Sequence, residues 1–343
     1  MTRVLASLAL GAAVLAAAPP SPPAQQTPPQ QQQPVFRATL ETVAVPVTVF
    51  SPEGELVTTL TREDFRVFDE GDGQEITNFT SGLQPVSAVV LVDTSASMTT
   101  SLQRARHAAE QFIIRMRPGD QARVGTFNDI VNLGGDFTGD RDSLLKDLQA
   151  NHRFANPTRL FDAIDEAMTS LTPLGGRRVV VALTDGCDTG SKTHWDTLRR
   201  RFMSEEVMLY MVQFRPRIRP PQQQTRALRN PCDLHVLLEL KFGTPIKDFF
   251  NMNDPRVVMS PVQVLDRMST ETGGGRVILL DDDDVGATFT RISNELHYLY
   301  LLGFTPQKRD GKSHELVVRV ADQRMSVRAR RRYLAPLGDP KLP

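Results

Sequence analysis

A net charge is the first thing this chain lacks: 40 Lys and Arg balance 40 Asp and Glu over 343 residues. Wholesale electrostatic binding to nucleic acid or to an anionic membrane is therefore not expected. Cysteine is nearly missing too. Cys187 and Cys232 are the only two, so the chain can hold at most one internal disulfide. In an oxidising compartment such a pair suggests a bridge; two unrelated thiols are the alternative. Long apolar runs are absent beyond the first 18 residues, and nothing later approaches the roughly 20 residues of a membrane helix. Hydrolase signatures are missing or incomplete. No Gly-x-Ser-x-Gly elbow occurs. Asp188-Thr189-Gly190-Ser191 spells the aspartic-protease signature, but the second Asp-Thr-Gly needed for a proton-sharing pair does not exist. The expectation is a protein that is not an enzyme.

What is present begins with an export signal. Arg3 supplies a positive start, Val4–Ala18 an apolar stretch of small residues, and Ala16-Ala17-Ala18 a small-residue cleavage site. The segment 1–18 reads as a signal peptide, with an uncleaved N-terminal anchor as the alternative, placing the chain outside the cell, in the periplasm or in the cell envelope. Residues 19–35 are rich in Pro and Gln and read as an extended linker.

From residue 36 to 84 short β-like runs alternate with turn signals. Val43–Phe50 is strand-like, with Pro46 favouring a sheet edge. Thr61-Arg62-Glu63-Asp64-Phe65 predicts a capped helical turn, and Phe65–Phe68 and Glu75–Phe79 predict strands. Between 85 and 298 the pattern changes: apolar runs such as Ser87–Val92, Arg178–Thr184 and Val207–Phe214 alternate with helical segments such as Ser101–Arg115, Leu160–Leu171 and Val285–His297. Such alternation predicts an α/β fold with a doubly wound, mostly parallel sheet flanked by helices. Residues 215–260 interrupt it as an insertion carrying Arg215, Arg217, Arg219, Arg226 and Arg229, either an anion or partner loop or a solvated excursion. Residues 299–335 return to β, with runs at Leu299–Phe304, Glu315–Val320 and Met325–Arg330. The expectation is a small β-sandwich built from both chain ends, the 36–84 and 299–335 segments packing together beside the α/β domain.

The site is expected where Val89-Val90-Leu91-Val92-Asp93-Thr94-Ser95-Ala96-Ser97 leaves the sheet. A buried strand ends in one carboxylate, and two hydroxyls follow at alternate positions. Asp185, in Leu183-Thr184-Asp185-Gly186, ends another apolar run. Two carboxylates at neighbouring strand ends repel unless a cation lies between them, and clustered oxygen donors suit a hard divalent ion. Other polar clusters read as ordinary surface. Asp281–Asp284 lacks the spacing of an EF-hand loop and reads as a charged helix start. His107 and His297 fall within helices as packing or surface residues, and His194, in the loop after Asp185, reads as a ligand contact or as a surface residue at a helix start.

Asp93-x-Ser95-x-Ser97, Thr158 within Asn156-Pro157-Thr158-Arg159-Leu160, and Asp185 occur in the order and spacing of a metal-ion-dependent adhesion site. The chain here resembles the von Willebrand factor type A (VWA) domain over about 86–298. Leu60-Thr61-Arg62-Glu63-Asp64-Phe65, Thr272-Gly273-Gly274 and Tyr300–Pro306 resemble the exported VWA-related family abundant in Acidobacteria. The resemblance implies that Ser95, Ser97 and Thr158 ligate the ion directly while Asp93 and Asp185 act through waters. It implies Mg²⁺, or Mn²⁺ or Ca²⁺, as the ion, and a protein partner presenting Asp or Glu. Asn156-Pro157 departs from the glycines common before that Thr. The alternative is a structural or assembly module of the cell envelope with a secondary metal site; an enzyme ranks third. Neither the partner nor the oligomeric state is written in the sequence.

Overall fold

A computed structural model describes residues 42–150, 154–215 and 261–337. The expected signal peptide, the linker and nearly all of the 215–260 insertion lie outside the described residues. Among the described residues no helix is long and apolar enough to cross a membrane.

The fourteen strands among the described residues are β1 (Val43–Phe50), β2 (Phe65–Asp69), β3 (Asp72–Gln74), β4 (Ile76–Leu83), β5 (Val86–Asp93), β6 (Gln121–Phe127), β7 (Val131–Leu133), β8 (Arg177–Thr184), β9 (Val207–Phe214), β10 (Arg276–Leu279), β11 (Tyr298–Phe304), β12 (Ser313–Val320), β13 (Ser326–Ala329) and β14 (Arg332–Leu334). The described α-helices are α1 (Leu102–Ile114), α2 (Arg141–Gln149), α3 (Leu160–Leu171), α4 (Trp195–Ser204), α5 (Pro261–Glu271) and α6 (Val285–His297).

A six-stranded sheet in the order β10-β9-β8-β5-β6-β7 forms the centre, parallel throughout except for the antiparallel β6–β7 pair. Every residue of β5 and β9 is buried, as expected for strands covered on both faces. One face packs on α1, α2 and α6 through Val90, Val92, Ala109, Phe112, Leu144 and Phe289. The other packs on α3, α4 and α5 through Val89, Leu91, Ile164, Leu198 and Leu265. In α1 the buried residues Leu102, Ala105, Ala109, Phe112 and Ile113 recur at helical spacing, and the small alanines bring the helix close to the sheet. The α/β expectation for this region holds.

Two four-stranded antiparallel sheets stand beside it, β13-β1-β11-β4 and β14-β12-β2-β3. Each takes strands from both chain ends: β1 and β4 flank β11, and β2 pairs with β12. One apolar cluster joins them, with Val45, Val47, Phe65, Val67, Tyr300, Leu302, Phe304, Leu316 and Tyr333. Tyr300 also ties down the loop after β1, donating to the Val57 carbonyl and accepting from the Leu60 N–H, each at 3.0 Å.

Pro46 does not mark an edge strand, because β1 lies between β13 and β11. The reason is local. Pairing with β11 runs over Val43–Val47 and pairing with β13 over Val47–Phe50, so Pro46 sits where β1 has a single neighbour. The capped turn expected at Thr61–Phe65 is a 3₁₀ turn at Arg62–Asp64, with Asp64 accepting from the Thr61 N–H at 2.8 Å. Asp284 caps α6 by accepting from the Ala287 N–H at 3.0 Å, so this part of the acidic run serves a helix start.

Candidate metal-binding site

In open parallel sheets ligands gather beyond the carboxyl ends of the strands, where the strand order reverses. Here that place lies between β5 and β8, adjacent parallel strands in register at Val92 and Leu183. Asp93 closes β5, and Asp185 directly follows β8.

The first loop is folded by its own polar groups. Asp93 Oδ1 accepts the Ser95 N–H at 2.9 Å, bending the chain back over the strand end. Ser95 Oγ and Ser97 Oγ stand 3.0 Å apart as Ser97 enters a short 3₁₀ turn, Ala96–Thr100. Thr94 is pinned by its N–H to the Phe127 carbonyl at 2.9 Å, and Asn128 donates to the Thr94 hydroxyl at 3.1 Å. Asp93 and Ser95 are fully buried.

The third loop meets the first through carboxylates. Burial, and the Asp185 charge beside it, push the Asp93 carboxyl well above the usual carboxylate range; the Thr184 and Ser95 hydroxyls offset part of this. Burial raises Asp185 as well, against hydrogen bonds from the Ser97 hydroxyl and the Cys187 N–H. Ser97 thus contacts both Ser95 and Asp185, joining the loops. Gly186 turns the chain after Asp185 at φ +100°, where a side chain would be strained and its Cβ would meet Leu265 at 2.7 Å.

The second loop brings Thr158. Ala155 bridges Ser95, Thr158 N–H donates to the Thr189 hydroxyl at 2.9 Å, and the Thr158 carbonyl accepts from the N–H groups of Thr189 and Gly190. Thr158 is 2% exposed, and its hydroxyl makes no hydrogen bond to protein among the described residues. The Asn156–Pro157 peptide is cis. Pro157 packs so closely on Gly190 that a Cβ there would overlap the proline ring. Gly190 belongs to the Asp-Thr-Gly-Ser stretch, whose remaining residues also brace the loops. Asp188 Oδ1 accepts the Phe161 N–H at 3.2 Å and the Ser191 hydroxyl at 2.5 Å. Asp162 accepts the N–H groups of Lys192 and Thr193 at 3.0 and 2.8 Å.

The structure thus brings Asp93, Ser95, Ser97 and Asp185 into one hydrogen-bonded cluster and places Thr158 on the loop that pairs with Ser95. Two residues were not anticipated. Thr184 Oγ1 donates to Asp93 Oδ2 at 2.6 Å and accepts the Gly186 N–H at 3.0 Å. Gln213, fully buried at the end of β9, donates to the Asp185 carbonyl at 3.0 Å. A polar residue ending an apolar strand beside a loop carboxylate was the available signal for both. His194 is an exposed residue at the start of α4, and His107 faces Glu110 on α1. Cys187 is disulfide-bonded, and the chain's other cysteine, Cys232, lies outside the described residues.

Every donor gathered here is an oxygen, two of them on buried carboxylates that repel one another. That set fits a hard divalent cation rather than a soft one. Among the described residues no cluster of three or more His, Cys, Asp or Glu side chains has metal-holding geometry, so hydroxyls would have to complete any coordination sphere.

Residues 88–187 match the family model of the von Willebrand factor type A (VWA) domain. Three solved structures illustrate what it is similar to. An aerotolerance-related membrane protein from Bacteroides fragilis is 16% identical, covering 62% of this chain and 98% of its own, with a TM-score of 0.43. A von Willebrand factor type A protein from Catenulispora acidiphila is 10% identical, covering 90% and 76%, with a TM-score of 0.44. Proximal thread matrix protein 1 from the mussel byssus, with a zinc-occupied MIDAS motif, is 14% identical, covering 67% and 50%, with a TM-score of 0.44. No curated protein matches the chain.

Proposed function

We propose that this chain is an exported protein-binding module that captures an acidic group of a partner protein through a divalent cation of the Mg²⁺ type. The observation that carries the reading is the convergence of Asp93, Ser95, Ser97 and Asp185 at the β5–β8 strand ends, with the Thr158 hydroxyl, which bonds to none of the described residues, on the adjoining loop. Ser95, Ser97 and Thr158 would hold the ion directly, and Asp93 and Asp185 would hold it through water. An ion with mostly neutral ligands stays electrophilic, so a carboxylate from outside is a strong additional ligand. Among the described residues the groups gathered around the site are carboxylates and hydroxyls, which favours binding over turnover. The apolar N-terminal segment favours export to the periplasm or cell surface.

A second reading rests on the two β sheets from the chain ends. Read together as a β-sandwich around one apolar cluster, they form a body large enough to make envelope contacts without the ion. Affinity capture from the exported fraction, with Mg²⁺ against EDTA and with Asp93→Ala, separates the two. Partner retention that is lost in EDTA and in the variant supports the metal-borne reading; retention unchanged by both rejects it.

A further inference from the structure

Away from the metal loops, a cleft of about 160 Å³ opens where the start of β1, the end of α4 and β14 meet. Its walls include Val43, Met203, Leu334 and Pro336, with Glu206 and Arg330 as its charged lining residues. Arg330 is only 6% exposed. Its Nε donates to the Arg332 carbonyl at 3.1 Å and one Nη2 hydrogen to the Met203 carbonyl at 2.5 Å. A guanidinium has five N–H donors in a rigid fork. The others meet no protein acceptor, and no carboxylate forms an ion pair with Arg330, among the described residues. Burial alone pushes this guanidinium below its usual range, with Glu206 and Tyr333 opposing from farther away. A buried cation held only by backbone carbonyls is costly, and an anion placed against its free donors offsets that cost.

We propose that this cleft binds a small monocarboxylate, of the size of propionate, on Arg330. The planar fork matches a carboxylate through two parallel hydrogen bonds. Thr42, Ser204 and Tyr333 make most of the remaining lining polar, and Val43, Met203, Leu334 and Pro336 leave apolar contact for only a short carbon stub. The volume exceeds the space one water needs yet falls below the roughly 300–1,000 Å³ of sites for drug-sized ligands, which sets the size class. Glu206 selects the charge: Arg330 and Glu206 cancel formally, so a monoanion leaves one net negative charge and a phosphate dianion leaves two, close to an exposed carboxylate. The site owes nothing to the metal loops, and its occupancy is independent of the ion.

Met203 lines the cleft, and its sulfur accepts from the Ser313 hydroxyl at 3.0 Å, so its methyl group is a built-in reporter. The experiment is NMR of the full chain labelled at methionine methyls, titrated with propionate, propionamide and inorganic phosphate. The Met203 signal is expected to move saturably with propionate and to stay in place with the other two. Arg330→Gln is expected to weaken propionate binding by roughly tenfold or more through loss of the bidentate pair. Glu206→Gln is expected to make phosphate bind while keeping propionate. An immobile Met203 signal, or an equal response to propionamide, overturns the proposal: the first means no site, the second an apolar hollow. If Arg330→Gln fails to fold, propionamide and Glu206→Gln still decide, because unchanged phosphate exclusion in Glu206→Gln removes the charge argument.

Discussion

At the scale of residues, the site carries a conflict that folding alone does not relieve. Asp93 is fully buried beside Asp185, and both carboxyls are pushed upward by burial. Asp93→Asn keeps the shape while removing one of the two charges. The variant is expected to raise the melting temperature of the metal-free protein by a few degrees, about 1 kcal/mol, and to lack the rise that the proposed site predicts for the parent in Mg²⁺. Thermal unfolding in EDTA and in Mg²⁺ reads both effects. Asp120 and Asp162 lie on the opposite side. Burial raises each, but the His297 ring and the Arg117 and Val86 N–H groups outweigh it at Asp120, and the Thr193 and Lys192 N–H groups with Arg159 outweigh it at Asp162. A carboxyl depressed by folding contributes stability that is present above its unfolded value near pH 4 and is lost as pH falls through the lower folded value. The protein should therefore lose stability progressively below about pH 4. Asp162→Asn should flatten that acid limb and, by weakening the hold on two backbone donors, cost about 1–3 kcal/mol at pH 7. Denaturation midpoints across a pH series check the sign.

At the scale of elements, the loops matter more than the strands that carry them. Gly190 and Pro157 touch so closely that Gly190→Ala must part the second and third loops. The expectation is a loss of Mg²⁺ affinity of about tenfold or more with the central sheet intact, seen as a weakened calorimetric titration beside an unchanged far-ultraviolet circular dichroism spectrum. How far such elements were legible in the sequence depended on where their stabilising partners lie. β5, β9 and α3 are encoded locally, by unbroken apolar runs or by apolar residues at helical spacing, and the structure places them within a residue of expectation. β3, β7 and β14 are three residues each and exist because another strand offers hydrogen bonds. No local pattern announces such strands. The site shows the same division. Asp93, Ser95, Ser97 and Asp185 follow from strand ends and spacing. Thr184 and Gln213 matter through contacts between distant strands, and Arg330 through a cleft that exists only once the chain ends have met.

At the scale of the whole molecule, the terminal sheets depend on each other. Removing residues 1–84 takes away β1–β4 and strips β11, β12 and β13 of partners in both sheets. The truncated chain is expected to aggregate through these exposed edges rather than to yield a stable metal-binding core. Size-exclusion chromatography of the truncated chain tests this against a monomeric peak.

The reach of those pairings also sets an order in time. Leu60 and Tyr300 meet across 240 residues, and β1 waits for β11 and β13. A polypeptide emerging from its N-terminus can close its central sheet only after β10 has appeared, and the outer sheets only after β12 to β14 have followed. During that interval β1 and β4 travel without their partners, and β2 with only the short β3 beside it. The last stretch to emerge acts as a clasp, so a ribosome or translocase that stalls before it leaves a sticky intermediate rather than a smaller working protein.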